Sequence, residues 1–115
     1  MHLETIHTAK GDLSYYRPDG DVIATPAEFL DLMANCSTDT IVLDKAALHA
    51  DFFALRTGLA GEILLKLSNY RMRLIVLGDY ENIESRSLRD FIYESNRTGN
   101  VLFTKTIEDA VRLLR

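Results

Sequence analysis

A single cysteine, Cys36, stands among the 115 residues, so no intramolecular disulfide can form and a disulfide-stapled secreted scaffold is excluded. Two prolines and six glycines, all spaced singly, leave no linker, low-complexity tract or repeat to divide the chain. No apolar run approaches the roughly 18 residues that a membrane span needs. The opening residues lack the basic start and apolar stretch of a signal peptide, so a cytoplasmic setting is expected. Positive charge is not in excess: 13 Lys and Arg face 17 Asp and Glu, for a net charge of -4. With no basic and aromatic residues interleaved on strands, nucleic acid is not an expected partner. What remains is 47% hydrophobic and 26% charged, the make-up of one globular domain over residues 1–115 with a core of its own.

Two short strands, at 3–9 and 13–17, flank Lys10-Gly11-Asp12 and read as a hairpin. Thr25-Pro26-Ala27-Glu28 is a helix start: a hydroxyl to accept a free N–H, a proline where no N–H is needed, and a glutamate to close the capping box. Phe29, Leu30, Leu32, Met33 and Cys36 form its apolar stripe. Residues 40–43, 74–77 and 101–103 are short, uninterrupted apolar runs, as strands buried on both faces require. Helices are predicted over 58–70, from Ser85 or Ser87 to the Asn96–Gly99 region, and from Thr106 to the end of the chain. Gly61 is expected to let the second of the four helices approach the sheet closely. Strands alternating with helices predict parallel pairing. The expected fold is α/β: a mixed five-stranded sheet, an N-terminal antiparallel hairpin plus three parallel strands, flanked by four helices.

The stretch Asp51-Phe52-Phe53-Ala54-Leu55-Arg56-Thr57-Gly58-Leu59-Ala60-Gly61-Glu62-Ile63-Leu64 resembles the signature of a bacterial family known only as domain of unknown function 4180. Asn69-Tyr70-Arg71, Gly78-Asp79 and the segment from Ser87 to Asn96 fit the same family, whose membership implies no established activity. A more distant resemblance is to the STAS domain of anti-anti-sigma factors, which shares the element order. There, an apolar strand ending in Asp leads through a loop to a Ser-Gly-Leu or Thr-Gly-Leu helix start. Ile41-Val42-Leu43-Asp44 and Thr57-Gly58-Leu59 follow that pattern, with a longer loop and with Arg56 in place of the usual acidic or hydroxyl residue. The resemblance implies a STAS-like fold and makes Thr57 a candidate phosphoacceptor.

Candidate chemistry is sparse. His2, His7, His49 and Cys36 lack metal-ligand spacing, and no nucleophile–base pair or phosphate-binding glycine loop stands out, so no catalytic residue, metal or cofactor is expected. Arg86, Arg89, Tyr93 and Arg97 share one helix face that Asp90 and Glu94 neutralise. The loop after the first buried strand is the most informative segment. Ligands of open α/β sheets bind at the carboxyl ends of the strands, and that edge gathers Asp44, Lys45, the Arg56-Thr57-Gly58 helix start, Gly78, Asp79, Thr104 and Lys105. A helix start with an arginine suits an anion, and one of Phe52 and Phe53 is expected to stay outside the core as an anchor. The binding residues expected for a partner or an anion are Arg56, Thr57, Gly58, Asp79 and Phe52. The chain therefore reads as a non-catalytic regulatory or protein-interaction module whose partner is another protein, a second copy being compatible. The alternative is a small-molecule or anion-binding domain, at most a weak enzyme, using the same helix start. A flat aromatic patch beside Thr57 favours the first reading and a concave pocket there the second.

Overall fold

A computed structural model describes residues 2–20 and 22–115; Met1 and Asp21 lie outside the described residues. Five strands, β1 (His2–Thr8), β2 (Gly11–Arg17), β3 (Thr40–Asp44), β4 (Arg73–Leu77) and β5 (Val101–Thr104), form one sheet in chain order. β1 and β2 pair antiparallel, and β2, β3, β4 and β5 pair parallel. Four helices join them: α1 (Pro26–Asn35), α2 (Leu59–Asn69), α3 (Arg86–Thr98) and α4 (Ile107–Leu113). No helix among the described residues is long and apolar enough to cross a membrane.

The sheet is covered on both faces, which explains the unbroken apolar strands. Successive strand residues point to opposite faces. Ile41, Leu43, Leu74, Val76 and Phe103 face α1, α2 and α3, where Phe29, Leu32, Ile63, Leu67 and Ile92 meet them. Val42, Ile75 and Leu102 face the other way, with Leu13 and Tyr15 of the hairpin, onto Ala110 and Leu114 at the α4 end. On this face α4 lies over β4 and β5, and Leu13 and Tyr15 of β2 extend the same apolar layer.

The helix starts are made as their residues predict. Glu28 N–H donates to Thr25 Oγ1 at 3.1 Å, and the Glu28 carboxylate accepts from the Ala24 N–H at 3.1 Å. Ser85, rather than Ser87, caps α3, and Thr106 caps α4. Two expectations are corrected. The loop between β3 and α2 is three successive 3-10 turns, Lys45–Ala47, Ala50–Phe52 and Leu55–Thr57, so α2 begins at Leu59. Gly61 does not pack on the sheet. It is exposed, and a Cβ placed on it would meet no atom within 4 Å. Close approach is instead permitted by Gly78, where a Cβ would lie 2.9 Å from Lys45 Cβ, and by Gly99, where it would lie 2.8 Å from the Leu113 carbonyl.

Candidate functional site at the carboxyl edge of the sheet

The three 3-10 turns carry the chain from the end of β3 to the start of α2 and fold the aromatic pair between them. Phe52 is fully buried at 0% exposure, its ring 6.2 Å from Phe103. That burial removes it from the surface where it was expected to act. Phe53 is the half-buried ring; it packs edge-on against Phe52 at 5.0 Å and lies 6.4 Å from Tyr80. Both rings lie 6.2 Å from Phe103, and the turn Ala50–Phe52 gives the fully buried position to the first.

Lys45 ties the turns to the next loop. Its ammonium lies 5.1 Å from the ring centres of both Phe53 and Tyr80, a cation–π arrangement, and reaches the Asp79 carbonyl at 3.4 Å. Tyr80 donates its hydroxyl to the Val76 carbonyl at 2.9 Å, and burial pushes its phenol far above the usual range. Asp79 accepts from the Glu81 N–H at 3.0 Å, closing the loop after β4. The crevice beyond the strand ends is therefore filled with rings and an alkyl stem.

The Arg56-Thr57-Gly58 segment stands at the rim of this plug, all three residues exposed. Thr57 does not cap α2. Its hydroxyl donates to the Asp51 carbonyl at 2.7 Å and accepts from the Leu59 N–H at 3.3 Å, so it clamps one 3-10 turn to another. Gly58 is the residue before the helix, at φ 81°, a left-handed conformation that side chains resist. The first helical bond of α2 runs from the Glu62 N–H to the Gly58 carbonyl. The N–H groups of Ala60 and Gly61 have no protein acceptor among the described residues, as expected of a first turn. Nor does Arg56 meet a carboxylate among the described residues; Asp51 is engaged with His49, and no contact joins Arg56 to Asp79. The structure thus brings Thr57 to Asp51 and Asp79 to Lys45, while Arg56 has no carboxylate partner among the described residues.

Elsewhere, on the α3 face, Arg86 pairs with Asp90 at 4.0 Å and Arg97 with Glu94 at 2.5 Å, while Arg89 donates to the Ile83 and Glu84 carbonyls, so the face is neutralised only in part. The Arg97 guanidinium holds the Glu94 carboxyl below its ordinary range. Cys36 is half-buried, its thiol directed at the Leu32 carbonyl at 3.2 Å and pushed up in pKa by burial. No group of three or more His, Cys, Asp or Glu among the described residues is arranged to hold a metal ion.

Two clefts lie away from this edge. One, of about 350 Å³, sits between α1 and the end of α2, beside Leu30, Met33 and Tyr70. The other, of about 540 Å³, lies at the opposite edge of the sheet, where the parallel strands begin. Its residues come from positions as distant as Asp39 and Arg115, and no local motif marks them.

A family model described as a domain of unknown function, DUF4180, matches residues 9–114. The chain belongs to this family. The match spans β2 to the end of α4 and so includes both the loop at the carboxyl edge and the larger cleft. No curated protein and no solved structure matches the chain.

Proposed function

We propose that the chain is a STAS-like regulatory module that receives a partner protein on the rim formed by Arg56, Thr57, Gly58 and the first turn of α2. The STAS-like reading rests on the element order, two strands and a helix followed by three strand–helix repeats. A cytoplasmic setting fits the lone unpaired Cys36. The observation that carries the proposal is Gly61. A glycine inside a helix costs up to about 1 kcal/mol relative to alanine, and here nothing within the fold uses the missing side chain. A surface glycine of this kind lets an outside group approach the backbone closely. Its own N–H and that of Ala60 lack acceptors, and Arg56 lacks a carboxylate, among the described residues, which together suit an acidic side chain of the partner.

The filled crevice favours docking over enclosure: Phe53 and Tyr80 leave a packed surface beside the rim. Asp79 borders this surface through its carbonyl contact with Lys45. Thr57 is the regulatory element of the proposal. A phosphoryl group on its hydroxyl would remove the donor that the Asp51 carbonyl accepts and add close to two negative charges beside it. The loop would loosen and Arg56 would be drawn to the phosphate instead of the partner.

The test compares proteins retained from native lysate by the parent chain, Arg56→Ala and Thr57→Glu, with melting as the control for folding. The proposal expects both variants to melt as folded domains and to lose the same retained protein. Retention of that protein by both variants would overturn it.

A further inference from the structure

We propose that the cleft at the amino edge of the parallel strands binds a small organic phosphate, separately from any partner docking at the opposite edge. At about 540 Å³ it is of the size that holds a small organic molecule. Three arginines, Arg71, Arg73 and Arg115, line it together with Asp39. Arg73 is fixed in place: it donates to Thr40 Oγ1 at 2.9 Å, to Asp39 at 3.4 Å, and to the Arg115 main-chain oxygen. Arg73 is thus taken up by Asp39 and the Arg115 main-chain oxygen, and the Arg115 guanidinium donates to the Arg97 carbonyl at 3.3 Å, whereas the Arg71 guanidinium has no acceptor among the described residues. A guanidinium with all its donors open, beside a second arginine, suits the several oxygens of a phosphate monoester.

Ser95 supplies the second, independent sign of a ligand. It is 8% exposed, and its hydroxyl has no protein partner among the described residues. No fully enclosed side-chain oxygen or nitrogen goes unpaired in the described residues, so the Ser95 hydroxyl must open onto accessible space, and the space beside it is this cleft. A hydroxyl so placed can donate to a phosphate oxygen. Leu64 and Leu67 line the same cleft and offer an apolar wall to the organic part.

The backbone at Arg71 points the same way. α2 ends with the Arg71 N–H donating to the Ser68 carbonyl at 3.2 Å and the Met72 N–H to the Leu67 carbonyl at 2.9 Å. This is the closing motif in which glycine ordinarily takes the left-handed position. Here Arg71 takes it, at φ 55°, so a guanidinium is kept where glycine would be less strained. Replacing it separates binding from folding: Arg71→Gly removes the charge and relieves the backbone at once.

The experiment is an amide chemical-shift titration of the full chain with phenyl phosphate, inorganic phosphate and benzoate. Phenyl phosphate is expected to saturate, with the largest shifts at Arg71, Ser95 and Val101, and to bind about tenfold or more tightly than either of the other two. Arg71→Gly should weaken phenyl phosphate about tenfold or more while melting at or above the parent temperature; Ser95→Ala should weaken it a few-fold. Absence of saturable shifts at millimolar phenyl phosphate would overturn the proposal, as would undiminished binding to Arg71→Gly. Inorganic phosphate binding as tightly as phenyl phosphate would overturn the organic ligand in favour of the free ion, and benzoate doing so would overturn the phosphate.

Discussion

A Cβ on Gly78 would lie 2.9 Å from the Cβ of Lys45, closer than such atoms approach in folded proteins. The two residues sit at the ends of neighbouring strands, and Lys45 cannot retreat without moving its ammonium off the rings of Phe53 and Tyr80. Gly78→Ala should therefore destabilise the domain by about 1–3 kcal/mol, as overpacking does. Thermal unfolding checks it. A variant that melts like the parent would mean that the loop after β3 yields freely.

Gly61→Ala should act in the opposite direction. The position is helical, exposed and free of neighbours, so alanine should add up to about 1 kcal/mol, or roughly 4 °C in melting temperature. A clear loss of stability would restore the packing role that the sequence suggests for this residue.

The contrast between these glycines marks where sequence reasoning reaches and where it stops. The layered α/β fold follows from local signals: apolar runs buried on both faces, the Thr25, Ser85 and Thr106 caps, and the turn at Gly11. The orientation of Gly61 was also present in the pattern. Leu59, Ile63 and Leu67 define the buried stripe of α2, and Gly61 lies two residues from Leu59, about 200° around the helix. The path of residues 45–57 has no such periodicity, because 3-10 turns of three residues leave no repeating stripe. Hence the choice between Phe52 and Phe53 could not be made locally. The larger cleft is further from reach, since Asp39, Arg71, Ser95 and Arg115 meet only once the sheet has assembled.

Tyr15 should titrate late. Its hydroxyl donates to Asp44 at 2.7 Å, and burial followed by this bond pushes its phenol from 10.0 up to about 12. The fold favours the protonated phenol, so the stabilisation is whole below pH 10 and is lost as the pH rises through about 12. The gap in melting temperature between the parent and Tyr15→Phe should narrow across that interval. A constant gap would show that the bond to Asp44 does not distinguish the two ionisation states.

Thr57→Val should lower stability by about 1 kcal/mol, because it removes both the bond to the Asp51 carbonyl and the acceptor of the Leu59 N–H. Thr57→Ser should restore most of the loss. Hydrogen exchange at the Leu59 amide reads the same event locally: it should quicken in the valine variant and not in the serine one. Equal exchange in both would detach the hydroxyl from the loop.

The central claim, that a partner approaches the backbone at the first turn of α2, is tested most directly at Gly61 itself. A Cβ there meets no atom of the described fold within 4 Å and the position is exposed, so Gly61→Leu should melt close to the parent, yet its side chain should block an outside group from the exposed turn. Retention of a protein from native lysate would be compared for the parent, Gly61→Leu and Arg71→Gly, the last altering only the opposite edge of the sheet. The account predicts that Gly61→Leu loses the protein that both the parent and Arg71→Gly retain. Full retention of that protein by a stably folded Gly61→Leu variant would contradict it.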